Sequence, residues 1–282
     1  MKLIINADDA GIDAARNKGI FKAIDEGVVK SISVIVYQTG WADILDRLID
    51  RKDLCVGVHF NLTAGRPLVE NHKTLINERG FFLNKFELFT RAGRGEIDPS
   101  ETAAEFKEQL EVFTRNTGIT PAHYDGHNHI HLLPGAREGF FRVVPKGSWV
   151  RLALESGTDF KDLSQEDLLA VHKDPQQLVS YLNFLSAEAR KVWGDQFHYP
   201  DDFRGTKVTP KPTLKAFKQA VDELHGNICE LMCHPGDKAD EYSAAFSQLK
   251  ERQTELKILT SPKLKEYLQK KEIGLGSFKE LS

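Results

Sequence analysis

Within eight residues, Tyr124-Asp125-Gly126-His127-Asn128-His129-Ile130-His131, the chain places one carboxylate and three imidazoles. Asp125, His127, His129 and His131 share one parity, so in an extended strand they would line a single face. Each imidazole carries a donor and an acceptor that need partners, which makes such a ladder a poor filling for an apolar core. Its chemistry is metal ligation or proton transfer; the plain alternative is a row of surface histidines on a half-exposed strand. Spacing does not choose among the three rings. Residues two apart on a strand lie about 7 Å apart, too far for successive rings to share one metal easily.

Other polar residues gain weight from where they fall. Asp8-Asp9, His59 and His234 each sit at or just past the end of an apolar run read as a strand, as His127 does in the His-rich segment. In parallel (β/α) barrels that rim carries the chemistry. A mononuclear hydrolytic site uses about three protein ligands and keeps a position for water. One Asp and two His supply it, and a second carboxylate can accept a proton from the water. Asp8 and Asp9 can divide those roles only if the strand has already turned, because neighbours on a strand point to opposite faces; Ala10-Gly11 is read as that turn. The bland reading of the pair is a cap for the following helix. His59 or His234 taken singly reads more often as a satisfied core histidine. Arg151, inside an apolar run, is a buried-charge candidate that needs a carboxylate partner, and Asp8 is the one expected.

The elements that must hold these residues follow from periodicity. Residues 2–7 read as a buried strand, followed by a helix over about 13–26 with Gly27 as its stop. Residues 31–37 make a second strand, and 41–51 an amphipathic helix on Trp41, Ile44, Leu45, Leu48 and Ile49. A third strand spans 55–62. Residues 63–95 read as a long loop with a Phe-rich part at 81–89, and loops of that length are usually functional. Asp98 as N-cap, Pro99 and Glu101 open a helix that runs to about 116 and ends at Gly118. The His-rich strand covers 123–132, stopped by Pro134-Gly135, and 149–154 is a fifth strand candidate. Helical stretches fit 164–172 and 175–192, and 199–205 reads as a polar turn. A helix at 213–224, a strand at 228–233, a helix near 244–254 and a last helix capped by Ser261 follow. Strand and helix alternate without internal repeat or low-complexity linker. That predicts an α/β fold, an incomplete (β/α) barrel of about seven parallel strands, in a single domain over 1–282. No G-x-G-x-x-G or P-loop follows a strand, which weighs against nucleotide binding.

Composition narrows the classes further. A chain of 282 residues suits one barrel-sized domain, and 40% hydrophobic with 28% charged residues is ordinary for a soluble globular protein. A net charge of −3 gives no electrostatic case for nucleic acid or an anionic membrane. No apolar run approaches the ~20 residues of a membrane helix, and the opening Met1-Lys2-Leu3-Ile4-Ile5-Asn6 carries no signal-peptide core. Cys55, Cys229 and Cys233 form neither a disulfide framework nor a zinc-ribbon spacing. The last two would lie roughly 13 Å apart along a strand. Small core residues and a cytoplasmic protein are expected.

Four segments in order carry a resemblance: Asn6-Ala7-Asp8-Asp9-Ala10-Gly11, Gly57-Val58-His59-Phe60-Asn61-Leu62-Thr63, Asp125-Gly126-His127-Asn128-His129-Ile130-His131 and Met232-Cys233-His234-Pro235-Gly236. They resemble the signatures of the YdjC-like carbohydrate deacetylases, which include the chitooligosaccharide (diacetylchitobiose) deacetylases. The match runs over nearly the whole chain. It implies a polysaccharide-deacetylase-like incomplete barrel and metal-dependent removal of acetyl from an N-acetylated sugar. It implies Asp9, His59 and His127 as metal ligands, Asp8 as general base and His234 as the acid for the departing amine. Arg151 matches an arginine that follows the fifth strand and joins the catalytic set. His129 and His131 then become groups behind the ligands or beside the substrate, and Asp125 an orienting partner. The implied cofactor is one divalent metal ion, Mg2+ or Zn2+, with Co2+ and Mn2+ also suited to one Asp and two His. The partner expected is an N-acetylated sugar, with no nucleic acid and no membrane; a homodimer is the assembly allowed for. Phe60, Asn61, Arg66 and residues 81–89 are the candidate sugar contacts. Two departures stand out. Ala10 occupies a position where Phe is frequent, and residues 157–196 match poorly although the variable region around 157–205 should form part of the substrate wall.

The expected reaction is hydrolysis of an acetamide, with Asp8 taking a proton from the attacking water, the metal polarising the carbonyl and His234 protonating the sugar nitrogen. Two competing readings remain. A metal-dependent phosphoesterase on a related barrel predicts phosphate release and two or three metals. A catalytically silent metal- or sugar-binding regulator predicts metal binding without acetate release. Few basic residues near the motifs weigh against the first, and the presence of Asp8 and His234 against the second.

Overall fold

The computed structural model describes residues 1–160, 174–238 and 249–281. The strands are β1 (Lys2–Ala10), β2 (Ser31–Val34), β3 (Cys55–Phe60), β4 (His123–Gly126), β5 (Trp149–Val150), β6 (Asp202–Arg204), β7 (Ile228–Cys233) and β8 (Gly274–Gly276). The helices are α1 (Ala14–Asp25), α2 (Trp41–Asp50), α3 (Lys85–Gly93), α4 (Pro99–Thr117), α5 (Ala136–Val143), α6 (Pro175–Trp193), α7 (Leu214–Asp222), α8 (Leu249–Leu259) and α9 (Pro262–Lys270). The chain divides into two compact units, Met1–Gly57 with Pro200–Ser282, and Val58–Tyr199, so the division falls inside β3.

In the first unit β1 is central. Leu3, Ile4 and Ile5 are all buried regardless of parity, as in a parallel strand covered on both faces. On one side β7 runs in register from Lys2↔Ile228 to Ala7↔Cys233, and β6 pairs beyond it. On the other, β8 takes Lys2–Ile4 and β2 takes Asn6 onward, with the start of β3 next to β2. In the second unit β3 pairs β4 and β4 pairs β5. These pairings are all parallel, and the path ends at β6 in one unit and β5 in the other. The α/β class and the incomplete (β/α) arrangement of about seven parallel strands are as expected. Among the described residues no helix is long and apolar enough to cross a membrane. Cys55, Cys229 and Cys233 are free and buried, as small core residues should be.

Caps explain why several boundaries were readable. Asp13, Asp98, Thr213 and Ser261 each accept a backbone N–H of the helix they precede, satisfying a donor the helix cannot. Gly118 ends α4 at φ 65, a left-handed conformation that glycine adopts freely.

Other expectations fail, each for a local reason. The His-rich strand stops at Gly126; residues 127–132 form a 3-10 segment in which Asn128 and His129 take φ of 56 and 58. A left-handed pair cannot continue a pleat, so the single-faced ladder does not exist. The fifth strand ends at Val150, leaving Arg151 just past it. The turn expected at 199–205 contains β6, where polar Asp202 and Arg204 face each other at 3.2 Å within a strand. Part of the 63–95 loop is α3, opened by a capping box in which Asn84 and Glu87 exchange hydrogen bonds. α5 starts immediately after the expected stop at Gly135, and β8 had no expectation at all. The helix expected at 164–172 and the first part of that at 244–254 lie outside the described residues.

Candidate active site

In the first unit the chemistry gathers at the end of β1. The pairing register with β2 slips between Ala7 and Ala10, and Asp9 takes φ 72. The turn therefore falls on Asp9 itself, one residue before the expected Ala10-Gly11, and a non-glycine residue held there is a costly feature characteristic of functional sites. Gly11 continues the bend at φ 94, where a Cβ would lie 2.3 Å from the Ile35 carbonyl oxygen. From α1, Asn17 accepts from Gly11 N at 2.7 Å and donates to the Gly40 carbonyl at 2.8 Å, fastening this corner.

Both carboxylates are buried, Asp8 at 2% and Asp9 at 1% exposure. Asn6 Nδ2 donates to Asp8 Oδ1 and to Ser33 Oγ, each at 2.8 Å. Asp8 Oδ2 lies 4.0 Å from His234 Nε2, and the other ring nitrogen, Nδ1, meets Thr209 Oγ1 at 3.2 Å. Asp9 Oδ2 accepts from Arg252 Nη2 at 2.5 Å, and Glu255 Oε2 accepts from His234 N at 2.5 Å. Burial pushes the Glu255 carboxyl up to about 7; the His234 amide and Arg252 pull against that, and Asp8 and Asp9 add to it.

The second unit holds the imidazoles. His59, near the end of β3, has Nδ1 2.6 Å from Asp125 Oδ1. Asp125 is fully buried, and its Oδ2 lies 3.0 Å from Arg151 Nη2. Burial alone would raise the Asp125 carboxyl, but Arg151 and then His59 hold it well below the usual carboxylate range. An anionic Asp125 takes Nδ1–H of His59 and so leaves Nε2 as the lone-pair donor, the arrangement by which carboxylates orient metal-binding histidines. His127, half-buried at the start of the 3-10 segment, places its ring edge-on to His59 with centroids 5.6 Å apart. Asn128 Nδ2 donates to Thr63 Oγ1 at 3.1 Å and ties this segment to the chain leaving β3.

The remaining expected residues fall as follows. Arg151 is 1% exposed, and within the second unit Asp125 is a carboxylate beside it. Phe60 is fully buried against Phe106, Tyr124 and Phe140, with no surface for a sugar. Asn61 spends its side chain on the turn that follows, accepting from Thr63 N and Ala64 N and donating to the Ala64 carbonyl. Arg66 is exposed, bonded to the carbonyls of Arg79 and Gly80, with its guanidinium 4.0 Å from the Phe81 ring centroid. His131 is a core residue: its Nε2 donates to the Arg151 carbonyl at 3.0 Å, its ring lies beside Trp193 and Phe140, and burial lowers its pKa to about 4. Arg252, Glu255 and Thr209 carried no signal in the sequence, because each lies outside the four motifs in a helix or turn of ordinary composition. The long segment after β3 is anchored by another buried group, Glu105, which accepts from Leu68 N, Val69 N and His72.

A chitooligosaccharide deacetylase of Yersinia enterocolitica is 30% identical, covering 99% of this chain and 98% of its own. Carbohydrate deacetylases of Clostridium beijerinckii and Homo sapiens are each 28% identical over 100% of this chain, and over 100% and 91% of their own. The crystal structure of a candidate cellobiose-phosphate cleavage protein from Enterococcus faecalis V583 superposes with a TM-score of 0.76 at 23% identity, covering 100% of this chain and 98% of that one, which establishes the shared fold. Residues 2–270 match the profile of the family described as YdjC-like protein. The chain belongs to the YdjC-like family.

Proposed function

We propose that this protein is a carbohydrate deacetylase that uses one divalent metal ion to remove acetyl from an N-acetylated sugar. The observation that carries the reading is the orientation of His59: with Nδ1 committed to Asp125, the ring can offer only Nε2 to a cation. Asp9, His59 and His127 supply one carboxylate and two imidazoles, a donor set that suits Zn2+, Co2+ or Mn2+ and accepts Mg2+. The names of the relatives supply the substrate class. When bound, such an ion supplies Lewis acidity to the acetamide carbonyl and makes water a better nucleophile.

The protein's own groups do the rest. Asp8, steadied through Oδ1 by Asn6, takes a proton from water as the water oxygen bonds to the acetyl carbon. His234, with Nε2 on the side of Asp8 and Nδ1 held by Thr209, gives a proton to the sugar nitrogen as the C–N bond breaks. Acetate and a free amino sugar leave. Arg151 keeps Asp125 anionic and in place and thereby serves His59. Arg66 and Phe81, which reach the surface, are the candidates for sugar contact. The test is acetate release from a panel of N-acetylated mono- and disaccharides with and without chelator. Chelator-sensitive release from at least one sugar is expected; no release from any metal-loaded sample would refute the reading.

A further inference from the structure

Helix α8 belongs to none of the motifs from which the site was read, yet three of its groups reach them, all within the first unit. Arg252 Nη2 donates to Asp9 Oδ2 at 2.5 Å, the Arg252 carbonyl accepts from Gly236 N at 3.2 Å, and Glu255 Oε2 accepts from His234 N at 2.5 Å. Arg252 and Glu255 are three residues apart, so they share one face of the helix. Both are buried, at 8% and 1% exposure. On its other side the His234-Pro235-Gly236 turn is pinned to α1: Asp237 N donates to the Ala15 carbonyl at 3.0 Å, and a Cβ on Gly19 would lie 2.4 Å from Gly236 Cα. Neither charge is an economical source of stability, because a buried ion pair seldom outperforms apolar packing and a buried carboxyl resists ionisation. Both are intelligible where the gain is the geometry of another residue.

We propose that Arg252 and Glu255 are positioning residues: Arg252 holds Oδ2 of Asp9 and turns the other oxygen to the cation, while Glu255 fixes the backbone at His234 and keeps its ring against Asp8. The inference rests on the deacetylase reading for the roles of Asp9 and His234. It divides the work of α8 into two separable effects, one on metal affinity and one on proton delivery.

The experiment is a Co2+ titration of metal-free protein, followed by visible absorption, on wild type, Asp9→Asn, Arg252→Ala, Arg252→Lys, Glu255→Leu and Glu255→Gln, with melting curves to establish folding and kcat and KM for acetate release. Arg252→Ala should weaken Co2+ binding by roughly 10–100-fold, the usual cost of losing a ligand's orienting partner, and Arg252→Lys should recover part of it. Where Arg252→Ala does not fold, Arg252→Lys carries the test by binding Co2+ more weakly than wild type. Glu255→Leu should keep the wild-type Co2+ affinity and lower kcat at unchanged KM, and Glu255→Gln, which retains an acceptor for His234 N, should restore kcat. Wild-type Co2+ affinity in the Arg252 variants, with affinity lost in Asp9→Asn, overturns the role of Arg252 and leaves the metal-site reading standing. Wild-type affinity in Asp9→Asn brings down that reading and this inference together. Wild-type kcat in Glu255→Leu overturns the role of Glu255.

Discussion

The Oδ1 of Asp125 lies 2.6 Å from Nδ1 of His59, and that contact determines which ring nitrogen is left for a cation. Asp125→Asn keeps the volume but removes the charge that selects the tautomer. Metal affinity should fall by roughly 10–100-fold, read by calorimetric titration of the metal-free protein. Unchanged affinity would mean that His59 does not bind metal through Nε2.

The Asp8–His234 pair, 4.0 Å apart, should be separable from metal binding. Asp8→Asn and His234→Ala should each lower kcat by roughly 10²–10⁴, the range for a general base or acid, while retaining wild-type metal content by elemental analysis. Loss of metal from either variant would move that residue into the ligand set.

His131 makes the fold sensitive to acid. Its folded pKa is lowered to about 4 by burial, against an ordinary value of 6.5. Between those values the unfolded chain binds more protons, so the stability this group contributes is fully present above pH 6.5 and is lost as pH falls toward 4. Full expression of that shift amounts to about 3 kcal/mol. Urea unfolding of the metal-free protein should show the gap between wild type and His131→Gln narrowing over that window. A gap independent of pH would contradict the buried, neutral imidazole.

Phe60 tests the division between core and sugar contact. Phe60→Ala should cost about 3–5 kcal/mol in urea unfolding, as for other buried aromatics. At a temperature where the variant is folded, KM for the sugar should be unchanged. A raised KM with little loss of stability would make Phe60 a substrate contact after all.

The sequence made the parallel α/β order legible because apolar runs and helix periods alternate along it, with caps such as Asp98 and Ser261 marking where helices start. It made the Asp8-Asp9, His59 and His234 positions legible because each closes such a run, and it marked His127 only through the cluster of histidines around it. Parity could not reveal the break after Gly126. Two consecutive left-handed residues, Asn128 and His129, abolish the ladder, and nothing in their types requires that conformation of both. Asp202 and Arg204 read as a turn because a charged strand is rare; here each satisfies the other within β6. Asp125 could not be picked out as a partner of Arg151 from spacing, because it is the pairing of β4 with β5 that brings the two together. Arg252 and Glu255 were invisible for the same reason: their contacts are made in space, from a helix whose sequence is unremarkable.

The most direct test of the account is to measure bound metal and acetate release together in wild type, Asp9→Asn and His127→Ala, using an N-acetylglucosamine disaccharide as substrate. The account predicts about one metal per chain and release abolished by chelator in wild type, with both metal and activity lost in the two variants. Variants that keep full metal content and full acetate release would contradict it.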